Sequence, residues 1–174
     1  DKRVEECRLT PVVLSVVGRG NVGKTTFLVH LVVELKKRGY RVATIKHFER
    51  DFETDKPGKD SYRLTEAGAD VSIIAAPEKM AMVRRLKREL TLDEIIASLP
   101  EMDIILTEGY KQDKKPKIEV VRQAVTSELI FRPPELVALV SDLTVDVGVP
   151  RFALDDAAGV ATFLEKHYIK HKPS

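Results

Sequence analysis

The sequence predicts an α/β domain, a three-layer arrangement with a mostly parallel central sheet and one small antiparallel hairpin. Three observations carry that expectation. Residues 11–17 (PVVLSVV) and 102–110 (MDIILTEGY) are continuous apolar runs; lacking the alternation of a half-exposed strand, they read as strands buried on both faces of a parallel sheet. Straight after the first run, Phe27, Leu28, Leu31, Val32 and Leu35 recur at helical spacing. Strand and helix patterns then alternate to the end of the chain. The 174 residues, 43% hydrophobic and 32% charged, suit a single domain over 1–174 with frayed ends at 1–8 and 169–174.

Taken in order, residues 11–17 form the first strand and 25–37 the first helix. Lys36, Lys37 and Arg38 load that helix's last turn and Gly39 closes it. YRVATIKH (40–47) is the second strand, completing a β-α-β unit. FERDFETDKPGKDS (48–61) is polar and carries a Pro-Gly turn; connections of that length are usually functional. A short helix follows through Ala67, capped by Asp60 or Ser61 and ended by Gly68. VSIIAA (71–76) and MAMVRR (80–85) flank a turn, as a hairpin does, and the second is an apolar edge that could serve for self-association. Thr91 with Glu94 three residues on has capping-box spacing for a helix over 91–99. Residues 102–110, 117–122 and 136–142 are further strands, and 157–168 is the last helix. Asp103, at the start of its strand, is expected to face solvent.

The most informative stretch joins the first strand to the first helix. Gly18-Arg19-Gly20-Asn21-Val22-Gly23-Lys24-Thr25 matches G-x-x-x-x-G-K-[ST] between a buried strand and a helix, the context this phosphate-binding loop requires. Glycines let the backbone curl so that several N–H groups point at one phosphate chain, and the helix start adds its positive dipole end. Lys24 would reach the β- and γ-phosphates, and the Thr25 hydroxyl would ligate Mg²⁺. The fold expected is therefore that of P-loop NTPases.

A metal-bound nucleotide also needs a carboxylate at the end of a neighbouring apolar strand. Glu108, closing DIILTEGY, is the leading candidate, with Gly109 allowing close backbone approach. Asp55 in the long loop is a second metal or water-orienting candidate, and Lys59 a phosphate partner, because ligands of open α/β sheets gather at the carboxyl edge. Asp51 and Glu53 are less favoured, and His47 and Lys46, at the same edge, are more often structural. Asn-Lys-x-Asp, a guanine-reading pattern, is absent; Asp142, ending VALVSD, is the carboxylate placed to accept from guanine N1–H and N2–H₂.

The totals exclude several classes. A net charge of +2 gives no broad basic field for nucleic acid. The single cysteine, Cys7, cannot form an internal disulfide and fits a reducing, cytoplasmic setting. Gly18 interrupts the longest apolar run before it reaches membrane-spanning length, so no membrane role is expected. No H-x-x-x-H or C-x-x-C spacing suggests zinc.

GRGNVGKTT, IKH, DKPGKDSYRLTEAGA and TEGYK together resemble the MobB family of molybdopterin-guanine dinucleotide biosynthesis proteins, over most of the chain. The glycine loop is generic, whereas DKPGKDS followed by AGA and EGYK is much more specific. The resemblance implies GTP and Mg²⁺ binding with weak hydrolysis, a homodimer, and an accessory role beside a separate molybdopterin guanylyltransferase, with molybdopterin itself a further candidate ligand. It places Lys24, Thr25 and Thr26 in the phosphate and metal site. Asp55, Lys59, Asp60 and Ser61 fall on the loop facing it, Glu108, Gly109 and Lys111 at the strand end, and Asp142 near the base. Many members carry a histidine-rich run after IKH. Here His47 is followed by Phe48-Glu49-Arg50, so no role requiring several histidines is expected.

Two other classes fit the same loop. A small-molecule kinase would use Asp55 as base, with Arg84, Arg85 and Arg88 on a lid. A nucleotide-gated scaffold for the transferase would use binding alone. Gln112 and Gln123 are the only glutamines after the strand-end motif, and no arginine finger is evident, so sluggish turnover is expected.

Overall fold

The computed structural model describes residues 10–49, 52 and 56–170. The chain divides into two compact units, one combining the segment up to His47 with everything from Leu99 onward, the other Phe48–Ser98.

The first unit is built on six strands: β1 (Val12–Val17), β2 (Val42–Lys46), then, past the second unit, β5 (Ile104–Glu108), β6 (Lys117–Val121), β7 (Leu136–Ser141) and β8 (Arg151–Phe152). They lie in the order β2-β5-β1-β6-β7-β8, every pair parallel. β1 is central because it is apolar on both faces: Leu14, Val16 and Val17 are completely buried. Helices α1 (Lys24–Lys37) and α4 (Ala157–His167) cover one face, with Phe27, Leu28, Leu31 and Leu35 meeting Leu14, Val16, Leu106, Ile118, Val160 and Leu164 in one core. The other face of β6 and β7 is covered by loop residues, where Val121, Leu139 and Leu143 pack with Leu129, Val145, Val147 and Val149. The two-residue β8 is too short to show a pattern in the sequence.

Two charges inside β6 are not foreshadowed by the sequence. Lys117 is completely buried, yet its ammonium donates to the carbonyls of Asp113 and Lys115 and to Glu135 Oε2, and lies 5.0 Å from the Phe131 ring centre. Glu119 accepts from the amides of Ile130 (2.7 Å) and Phe131 (3.0 Å). Both therefore peg the long β6–β7 connection to the sheet, which is what makes their burial tolerable. Asp103 corrects another expectation. Instead of facing solvent it receives the Arg41 guanidinium and the Arg41 amide, which hold its carboxyl below the usual range, because β2 begins directly alongside it.

The second unit holds α2 (Asp60–Glu66), the antiparallel pair β3 (Val71–Ala76) and β4 (Lys79–Arg84), and α3 (Leu92–Ala97). The capping position of α2 is Lys59, not Asp60 or Ser61: Gly58 turns at φ 88° and leaves Lys59 extended, so the helix starts one residue early. Arg85 and Arg88, offered as lid residues, are engaged locally, Arg85 on the Thr65 carbonyl at 2.7 Å and Arg88 on the Glu94 carboxylate. Ile73, Met80 and Met82 of the hairpin are more than half exposed.

Candidate functional site

The site begins where β1 ends. Gly18 takes φ 145°, and a Cβ there would fall 2.4 Å from the Val120 carbonyl oxygen of β6, so only glycine lets the turn start this close to the sheet. Asn21 (φ 61°) and Gly23 (φ 95°) bend the chain back, while buried Val22 anchors the turn from below. Arg19 and Gly20 remain exposed, Arg19 pairing with Glu128 at 2.6 Å. Gly23 is the cap position of α1, with no side-chain cap bond and no acid in the first turn. The helix's opening amides thus receive nothing from their own sequence, the condition under which a helix start serves an anion.

Lys24 and Thr25 open α1. Lys24 Nζ donates to the Arg19 carbonyl at 2.7 Å, spanning the turn. Burial pushes the Lys24 ammonium below its usual range; Glu108 opposes this, and the charges of Lys111 and Lys46 add to it. Thr25 Oγ1 donates to Glu108 Oε2 at 3.0 Å, and Lys46 Nζ lies 3.5 Å from Glu108 Oε1. Parallel register explains this meeting: Val16 of β1 and Lys46 of β2 both stand opposite Glu108 of β5. Just beyond, His47 packs on Tyr110 with ring centres 4.7 Å apart. Gly109 (φ 101°) is needed because a Cβ would come within 3.2 Å of the His47 Cβ.

On the other side of β1, Arg122 and Asp142 directly follow β6 and β7. Arg122 Nε lies 3.4 Å from the Val22 carbonyl, beside the turn. Asp142 Oδ1 accepts from the Gln123 amide at 2.7 Å. The structure thus assembles Gly18, Lys24, Thr25 and Glu108, with Lys111 close enough to act on Lys24 electrostatically. Thr26 is exposed one residue further along α1. Lys59, Asp60 and Ser61 belong to the other compact unit, and Asp55, Asp51, Glu53 and Cys7 lie outside the described residues. Nothing in the sequence singled out Arg122, beyond its being a basic residue at the end of KIEVVR.

The donor set suits Mg²⁺. Thr25 and Glu108 offer hard oxygens, and among the described residues no group of three or more His, Cys, Asp or Glu is poised to enclose a metal. Mg²⁺ takes few protein ligands and completes its shell with phosphate and water oxygens. The exposed turn leaves room for that: a Cβ on Gly20 would meet nothing within 4 Å.

Fold and site together define a P-loop-type α/β protein, with a glycine turn leading from the first strand into an uncapped helix. The family described as "Molybdopterin guanine dinucleotide synthesis protein B" matches residues 13–142. The chain belongs to this MobB family, and hence to the biosynthesis of that dinucleotide cofactor. It is 37% identical over 152 residues to the molybdopterin-guanine dinucleotide biosynthesis adapter protein of Escherichia coli, covering 82% of this chain and 85% of that one. The adapter protein of Haemophilus influenzae is 32% identical, with 87% and 86% covered. A crystal structure of molybdopterin-guanine biosynthesis protein B superposes with a TM-score of 0.74 at 33% identity, over 89% of this chain and 99% of that one. Among the described residues no helix is long and apolar enough to cross a membrane.

Proposed function

We propose that this chain holds a guanine nucleoside triphosphate with Mg²⁺ at the β1–α1 turn and acts as an adapter for a molybdopterin guanylyltransferase. Its own hydrolysis of GTP is slow. One observation carries the reading: an uncapped helix start carries Lys24, whose ammonium feels the charges of Glu108, Lys111 and Lys46, with Lys46 Nζ 3.5 Å from Glu108. Such a cluster gains most from a ligand with several negative charges. Thr25 and Glu108 would hold the metal, which would neutralise charge on the terminal phosphates. Lys24 would exchange the Arg19 carbonyl for phosphate oxygens. The exposed β3–β4 hairpin is the surface proposed for a homodimer, because isolated two-stranded pairs with apolar side chains in water are marginal alone.

The test is calorimetric titration of GTP, ATP and molybdopterin, with Mg²⁺, into the purified chain and its Lys24→Ala variant. GTP should bind the parent, and Lys24→Ala should lose binding while keeping its melting temperature, because the substitution removes a charge and no core volume. Absence of purine nucleotide binding at millimolar concentration would reject the reading.

A further inference from the structure

Arg122 occupies a position that the fold itself does not explain. It directly follows β6, on the side of β1 away from Glu108 and Lys46, and it is exposed. Its guanidinium reaches back over the turn, with Nη2 3.3 Å from where a Gly23 Cβ would stand and Nε 3.4 Å from the Val22 carbonyl. That hydrogen bond is long, and among the described residues no carboxylate pairs with Arg122. A cation beside the positive end of α1 is also electrostatically unfavourable by itself. Yet the backbone here is held firmly. The Arg122 carbonyl accepts from the amides of Val125 (2.9 Å) and Thr126 (3.0 Å), and Asp142 secures the next amide, that of Gln123.

The sheet order gives the site a direction. Thr25, Glu108 and Lys46, the metal and terminal-phosphate end, lie toward β5 and β2. A nucleotide held there runs its nucleoside the other way, over the ends of β6 and β7. We propose that Arg122 is the nucleoside-contacting residue of the site, its guanidinium plane forming a platform on which the purine stacks. Asp142 is a positioning residue that holds the Arg122 turn through the Gln123 amide. This rests on the nucleotide reading above and extends it to the base. Arginine suits such a platform because its charge is permanent, its plane stacks on aromatic rings, and it is less strongly hydrated than an ammonium group.

The experiment titrates Mg²⁺–GTP and, separately, inorganic tripolyphosphate with Mg²⁺ into the parent chain, Arg122→Ala and Arg122→Lys, with ligand-free melting temperature measured for each. Arg122→Ala should weaken GTP on the order of tenfold and leave tripolyphosphate within about twofold. Arg122→Lys should not recover GTP binding, because an ammonium group has no plane. Equal loss for both ligands would make Arg122 a phosphate contact, and recovery with lysine would make it a point charge; either overturns the proposal. So does unchanged GTP binding in Arg122→Ala. A parent chain that binds tripolyphosphate but not GTP rejects the nucleotide reading, and Arg122's role with it, before any variant is compared.

Discussion

Helices α1 and α3 begin in opposite ways. At α3, Thr91 Oγ1 accepts from the Glu94 amide at 3.2 Å while the Glu94 carboxylate accepts from the Thr91 amide at 2.9 Å, and Asp93 and Glu94 bring negative charge to the first turn. At α1 the corresponding position is a left-handed glycine, with neither a side-chain acceptor nor an acid. Packing explains how both survive. The fourteen residues of α1 bury Phe27, Leu28, Leu31 and Leu35 against the sheet, so tertiary contacts sustain it without a cap. The six-residue α3 buries only Leu92 and depends on local hydrogen bonds. A helix with core to spare can leave its first amides for a ligand; one with little core must satisfy them itself.

The largest predicted effect strikes the turn that makes α1's start available. Gly18→Ala sets a Cβ against the Val120 carbonyl and forces alanine into a conformation it avoids, at a cost of roughly 2–4 kcal/mol. Gly20→Ala, with open space around it, should stay within about 0.5 kcal/mol. Urea unfolding of the two variants measures the difference. Equal stabilities would mean that the turn can lift off β6, and that the exposed start of α1 is not held in place.

The capping box was legible in the sequence because both of its partners lie within four residues. The glycine turn was legible for the same reason, and β1 and β5 because they are apolar throughout. Runs of similar composition did not reveal burial: Val71, Ile73 and Ile74 of β3 are exposed where Val16 and Val17 of β1 are not. Lys117, Glu119 and Arg122 were hidden as well. Their partners are carbonyls, amides and a carboxylate brought near by strand order and by the long β6–β7 connection, and no local spacing announces them. Asp142 directly follows β7, and its bond to the Gln123 amide depends on the neighbouring strand.

A smaller effect tests the other half of the contrast. Thr91→Ala removes the acceptor for the Glu94 amide and should cost about 1 kcal/mol. The loss should appear as faster hydrogen exchange at the amides of α3, while exchange in α1 stays unchanged. If exchange in α3 is unaffected, α3 is held by something other than its box, and the two helices differ less than their first turns suggest.

The smallest effect is in pH. Arg88 first, and then the Thr91 amide, hold the Glu94 carboxyl down to about 2, from an ordinary value of 4.5. Because the folded-state value is depressed, the contribution is complete above pH 4.5, declines as acid is added, and is gone once pH falls through about 2. An NMR titration of the Glu94 carboxyl should therefore show its midpoint near the lower figure, and Arg88→Ala should move it upward, since Arg88 is the larger cause. α1 has no acid of its own in its first turn to compare with it. A Glu94 midpoint at the ordinary value would mean that the carboxylate leaves the Thr91 amide in solution. The first turn of α3 would then keep only the Thr91 side-chain cap and Asp93, and the contrast with α1 would narrow.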